Sequence, residues 1–221
     1  MYLDQVSFFD IDNVSIYYCQ PEIFLSEIDS LFTILSHQEL IKISNFKQKN
    51  RQNLAIIYRS LLKIILANHL KINPQDIEFS YTIKGKPFLT NSALNFNLSH
   101  TEDMVIYAIS EKIIGIDIEK NDKILKHEEL AERFFCPSEY QLIKQINQDK
   151  KAELFYQFWT AKEAFLKATG EGLSGGLNTM ELGYDLRRRA PVILSNNIRQ
   201  TWHLETLNIN ANYCCNLVIA K

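Results

Sequence analysis

With 221 residues, 46% of them hydrophobic, the chain has material for one large domain or two small ones and needs no staples to fold. A formal net charge of -2 argues against a broadly cationic, nucleic-acid-binding surface, so any chemistry toward anions must be local. Cys19, Cys136, Cys214 and Cys215 show no C-x-x-C spacing, which argues against a thiolate zinc site or a disulfide framework and fits a reducing cytosol.

Residues 2–10 and 14–19 are rich in aromatic and β-branched side chains and are broken by Asp10, Asp12 and Asn13, so they predict an opening β-hairpin. No basic n-region and apolar h-region begin the chain, and the apolar segments are interrupted by charges such as Lys63. The expectation is a soluble cytoplasmic protein without membrane contact. Helical periodicity follows over 27–35, and Ser36 with Glu39 three residues on predicts a capping box at a second helix. Leu54, Ile57, Leu61, Leu62, Ile65 and Leu66 recur at helical intervals over 48–70, with Arg51, Arg59 and Lys63 on the polar side.

Residues 77–83 predict a strand, and Lys84, Gly85, Lys86 and Pro87 a turn whose lysines fit a phosphate or a solvated loop. Alternation up to Ser99 and His100, then an apolar run over 104–109, predict two paired strands. A Ser-His pair at a strand end can donate hydrogen bonds to an anion, and no Asp-His-Ser order argues for a hydrolase triad.

In residues 113–119 apolar and acidic positions alternate. Ile114, Ile116 and Ile118 fall on one face of a strand and Gly115, Asp117 and Glu119 on the other. Two carboxylates two residues apart lie roughly 7 Å apart at the backbone, within reach of a shared hard cation. Taken alone, the pattern more often marks the solvated edge of an antiparallel sheet.

Residues 121–126 read as a polar connection. Helices are predicted over 128–135 and 137–146, the latter closed by Gln148, Asp149 and Lys150. Over 152–169, Phe155, Phe158, Trp159, Phe165 and Leu166 share one helical arc with Lys162 inside it, while Glu163 and Lys167 are neighbours at i,i+4. An ammonium among aromatic rings must snorkel or meet an anion. Gly170, Gly172, Gly175 and Gly176 end that helix, and strands follow near 178–184, 201–207 and 213–220, with Arg187, Arg188 and Arg189 in a loop.

Gly85-Lys86-Pro87, Asn97-Leu98-Ser99-His100, Gly115-Ile116-Asp117-Ile118-Glu119 and Trp159-Thr160-Ala161-Lys162-Glu163-Ala164-Phe165-Leu166-Lys167 together resemble, in order and spacing, the Sfp-type 4′-phosphopantetheinyl transferases. The resemblance implies an α+β fold of two similar halves with the active site in the cleft between them, divided near Ser110 into 1–110 and 111–221. It implies transfer of the phosphopantetheine arm of coenzyme A to a serine of an acyl or peptidyl carrier protein, with release of adenosine 3′,5′-bisphosphate, by a monomer. Asp117, Glu119 and Glu163 would hold Mg²⁺, with Mn²⁺ as an alternative. Lys162 and Lys167 would meet phosphates. Lys86 with Pro87, Ser99 and His100 would contact the nucleotide end, with Lys42 and Arg51 as further basic contacts. Glu163, Lys167 and His100 form the catalytic set; Glu163 or a metal-bound water would take the serine proton, with Glu139 as a further acidic candidate. Asn53 stands where a second arginine is common, and Thr101 where serine is frequent. A non-catalytic coenzyme A or carrier-binding module, and another Mg²⁺-dependent phosphodiester enzyme, are the competing classes.

Overall fold

A computed structural model describes residues 2–121, 126–172, 175–196 and 200–221. The chain opens on a 3-10 turn at Tyr2–Gln5 and then a hairpin, β1 (Ser7–Ile11) and β2 (Val14–Cys19), so the strand expected from residue 2 begins only at Ser7. A 3-10 segment, Pro21–Glu27, leads into α1 (Ile28–Phe32) and α2 (His37–Ser44). The capping box is present: Glu39 N–H donates to Ser36 Oγ and Ser36 N–H donates to Glu39 Oε2. Helix α3 (Lys49–Leu70) ends on Lys71 in the left-handed region.

The strand expected over 77–83 is only β3 (Ser80–Tyr81), paired with β4 (Pro87–Phe88). β5 (Asn95–His100), β6 (Val105–Ser110) and β7 (Ile114–Lys120) follow as expected. After α4 (His127–Phe134) and α5 (Pro137–Gln145), helix α6 runs Gln148–Thr169. Gln148, Asp149 and Lys150 therefore open α6 instead of closing α5. Most of the polar connection expected over 121–126 lies outside the described residues. The chain ends with β8 (Met180–Asp185), β9 (Ala190–Asn196), β10 (Trp202–Thr206) and β11 (Tyr213–Ala220). β9 escapes a sequence reading because Pro191 interrupts its pattern; among the described residues it pairs only with β8, where a missing N–H is tolerated.

Two antiparallel sheets, ordered β1-β2-β6-β5 and β10-β11-β7, pack face to face. Strand alternation accounts for the layers. Val14, Ile16, Ile106 and Ala108 of the first sheet meet Ile114, Ile116, Ile118, Leu217 and Ile219 of the second in a largely aliphatic middle layer. The opposite faces go outward to helices: Tyr17, Val105, Tyr107 and Ile109 pack against α3, and Cys214, Val218 and Ala220 against α6. Each half thus repeats one plan, a sheet under a single 22-residue helix, and the result is a four-layer α+β molecule.

Few groups cross between the sheets except at the rims. Ile116 N–H donates to Asn97 Oδ1 at 2.8 Å, and Asp103 accepts from Tyr213 OH at 2.7 Å and from Lys120 Nζ at 2.8 Å. All four cysteines are free thiols. No helix among the described residues is long and apolar enough to cross a membrane.

Candidate active site

The site forms where β5, the edge of one sheet, lies beside β7, the edge of the other. Strand β7 sends Ile114, Ile116 and Ile118 into the middle layer, which turns Gly115, Asp117 and Glu119 toward α6. Gly115 is where helix and strand touch: a Cβ there would stand 2.0 Å from the Ala164 carbonyl oxygen and 2.4 Å from the Ala168 nitrogen. That contact brings the polar edge of α6 over the two carboxylates. The face expected to be wet is therefore largely covered, and Asp117 is only 4% exposed.

Asp117 is held by partners from both halves. Lys167 Nζ donates to Asp117 Oδ1 at 2.6 Å, to Ser99 Oγ at 2.8 Å and to the Ile116 carbonyl at 3.3 Å, while Ser99 Oγ donates to Asp117 Oδ1 at 2.7 Å. The other oxygen, Asp117 Oδ2, is buried and has no hydrogen-bond partner. Glu119 and Glu163 complete a recess of about 320 Å³ walled by Leu98, Ser99, His100 and Trp159.

Burial and then the negative charge of Asp117 push both glutamates up to about 7, against the lowering pull of Lys167; Glu163 adds to the rise at Glu119. His100 stacks on Tyr58 of α3, ring centroids 4.6 Å apart. Removal from water and then the Lys167 ammonium hold its imidazole below the usual value, and Asp117 opposes them. A roomier groove of about 1140 Å³ lies elsewhere on the C-terminal half, among Gln157, Arg189, His203 and Glu205. The smaller recess is where carboxylates with raised pKa, a lysine and the Ser-His pair converge, which makes it the candidate chemical site.

Residues 113–218 match the model of the 4′-phosphopantetheinyl transferase superfamily, and residues 23–112 that of the 4′-phosphopantetheinyl transferase N-terminal region. The 4′-phosphopantetheinyl transferase HetI of Nostoc sp. is 36% identical over 160 residues, 70% of this chain and 66% of its own. The transferase Sfp of Bacillus subtilis is 31% identical over 157 residues, 71% and 69% of the two chains. The chain belongs to the 4′-phosphopantetheinyl transferase superfamily. Matches of this kind span about two thirds of the relatives' length. A solved holo-(acyl-carrier-protein) synthase from Bacillus anthracis str. Ames, in complex with CoA (3′,5′-ADP), superposes on 48% of this chain and 93% of its own, with TM-score 0.42 and 24% identity.

Not every residue expected at the site of this transferase is brought to the recess. Lys162 points the other way: its Nζ donates to the carbonyls of Leu177 at 2.8 Å and Met180 at 2.5 Å and pairs with Glu139 at 2.8 Å. Glu139 is fully buried, accepting from the backbone N–H of Cys136 and of Leu182, each at 2.7 Å. The anion that the aromatic arc demanded is thus Glu139, not a phosphate, and Glu139 is a helix cap fixed in the core with no path to a serine. Lys162→Met should cost about 3–5 kcal/mol of stability by leaving Glu139 unpaired, read by urea unfolding, with the KM for coenzyme A unchanged. A raised KM at unchanged stability would return Lys162 to the phosphates.

Lys42 lies over the Tyr81 ring, 4.3 Å from its centroid, in a separate depression shared with Arg59 and Glu39. Arg51 is exposed on the first turns of α3, seven residues before Tyr58 and hence on the same helical face as the His100 stack. Lys86 is folded back: its Nζ donates to the Ala168 carbonyl at 2.8 Å and the Ile114 carbonyl at 3.4 Å, and burial lowers it to about 8. Pro87 begins β4 beside it. Tyr58, Asn97 and Trp159 were given no role from sequence. Asn97 and Trp159 lie within the family motifs, whereas the Tyr58 stack depends on a tertiary meeting of α3 with β5 that no spacing announces.

Proposed function

We infer that the recess between β5, β7 and α6 is where this transferase moves the 4′-phosphopantetheine arm of coenzyme A to a carrier-protein serine. The observation that carries the reading is the buried, unpartnered Asp117 Oδ2 beside two glutamates raised to about 7 and a lysine bound to both halves. This donor set fits a divalent cation. Oxygen ligands suit hard Mg²⁺ or Mn²⁺, an ion would give Asp117 Oδ2 a partner, and its charge would offset the burial and the carboxylate repulsion that raise both glutamates. Asp117, Glu119 and Glu163 would hold it, although their oxygens are not all drawn within 4.8 Å of one another. When bound, the cation neutralises charge on the pyrophosphate oxygens.

The chain's own groups account for the remainder. The carrier serine oxygen bonds to the phosphorus nearest pantetheine, the bridging P–O bond breaks, and adenosine 3′,5′-bisphosphate leaves. Glu163, poised near neutrality, accepts the serine proton. Lys167 can turn from Ser99 and Asp117 to a phosphate oxygen. His100, supported by Tyr58, and Ser99 contact the nucleotide end, with Arg51 on the adjoining helical face and Lys42 at the outer depression.

Intact mass of apo carrier proteins incubated with the enzyme, coenzyme A and Mg²⁺ tests this. A chelator-sensitive gain of one phosphopantetheine supports it, and hydrolysis of coenzyme A without carrier modification overturns it. For Lys86→Ala the expected outcome is a KM for coenzyme A raised about tenfold. An unchanged KM with a lowered thermal midpoint would assign Lys86 to fixing the end of α6 against β7, through the Ala168 and Ile114 carbonyls.

A further inference from the structure

The transfer recess occupies the β5/β7 rim of the sheet pair, and the opposite rim is formed by the other two edges, β1 and β10. At that rim a second group of ligand atoms converges. Asp12 sits in the β1–β2 turn, where Asp12 and Asn13 both take positive φ. His203 and Glu205, two residues apart on β10, share one strand face. His203 Nε2 lies 3.2 Å from Asp12 Oδ2 and 3.2 Å from Glu205 Oε2, and the three ligand atoms lie within 4.8 Å of one another. Among the described residues this is the only trio of His, Cys, Asp or Glu that close.

Neither carboxylate has a lysine or arginine partner among the described residues, and both are aimed at the same imidazole nitrogen. Two carboxylates thus share one imidazole nitrogen as their common partner. His203 and Glu205 also wall the broad groove of the C-terminal half, which leaves the trio open to solvent on one side.

We propose that Asp12, His203 and Glu205 form a Zn²⁺ site that clamps the first hairpin to β10. One nitrogen and two carboxylate oxygens, with a position open to water, match the donor types and number of a zinc centre. On binding, the Nε2 proton leaves to solvent and the ring takes the Nδ1–H tautomer, which frees the Nε2 lone pair for the metal, and the dication replaces the shared N–H as the partner of both carboxylates. Imidazole also separates this site in kind from the all-carboxylate recess, because Mg²⁺ prefers oxygen ligands. Its ligands come from chain segments about 190 residues apart, and it would hold together the rim opposite the reaction.

The test is the zinc content of the reduced, intact protein after equilibration with limiting Zn²⁺ in excess Mg²⁺, together with the thermal midpoint. One zinc per chain and a zinc-dependent rise in midpoint are expected for the unaltered protein and for Glu163→Gln. In Asp12→Asn and His203→Asn the affinity should fall at least about 100-fold and the rise should vanish. Asp12 lies on an exposed turn, so its variant decides the matter if His203→Asn does not fold. Zinc retained undiminished in Asp12→Asn, or lost instead on Cys136→Ser, would overturn the proposal, as would no zinc uptake by the unaltered protein.

Discussion

Replacing Glu163 by glutamine is expected to lower carrier modification by about 10²- to 10⁴-fold, the usual range for loss of a positioned base, without loss of stability. The amide keeps the size of the side chain and its place on α6 but can neither accept the serine proton nor offer a charged ligand. Steady-state transfer assayed by mass gives the readout, and near-normal turnover would remove Glu163 from the mechanism.

The same substitution has a signature in the metal-free protein. Glu119 and Glu163 stand at about 7 in the folded state against an ordinary 4.5. Between those values the folded chain holds protons that the unfolded chain has released, so stability in a chelator falls as pH rises from about 4.5 to 7. Discounted for partial solvent screening, the loss is about 2 kcal/mol, or about 5 °C in thermal midpoint. Glu163→Gln should flatten this slope and leave the variant at least as stable as the parent above pH 7. A slope unchanged by the substitution would show that the Glu163 carboxyl is not its source.

Gly115→Ala should be the most damaging single change outside the polar groups, at a cost of at least about 3 kcal/mol. The obstruction is backbone: the Ala164 carbonyl oxygen and the Ala168 nitrogen occupy the space at 2.0 and 2.4 Å. No rotamer change relieves that contact, so α6 must lift from β7, carrying Glu163 and Lys167 away from Asp117. Urea unfolding measures the loss, and activity should fall with it. A variant within about 1 kcal/mol of the parent would mean that helix and strand can separate without disturbing the core.

Much of the site was legible in the sequence because strand alternation alone puts Asp117 and Glu119 on one face, and i,i+4 spacing alone puts Glu163 beside Lys167. Their convergence with Ser99 and His100 followed from the family pattern. What local rules could not supply was the partner of each charge. Lys162 was correctly anomalous among aromatic residues, but its anion is a core glutamate 23 positions earlier, and Lys86 spends its donors on the carbonyls of Ala168 and Ile114. The Asp12, His203 and Glu205 trio was invisible for the same reason, since turn and strand meet only when the sheets stack. In the fold, long periodic helices were readable, whereas 3-10 turns, two-residue strands and a proline-interrupted strand were not.

The aliphatic layer between the sheets has a consequence for how the molecule opens. Isoleucine against isoleucine rewards contact but not any one alignment, so the sliding register is set by polar contacts at the margins, among them Asn97 to Ile116 and Tyr213 to Asp103. The Lys167, Ser99 and Asp117 cluster is one of those margins. Whatever docks there therefore acts on the same equilibrium that separates the sheets: a ligand touching both edges opposes the parting of the two halves, and a fluctuation that parts them pulls Ser99 away from Lys167 and Asp117.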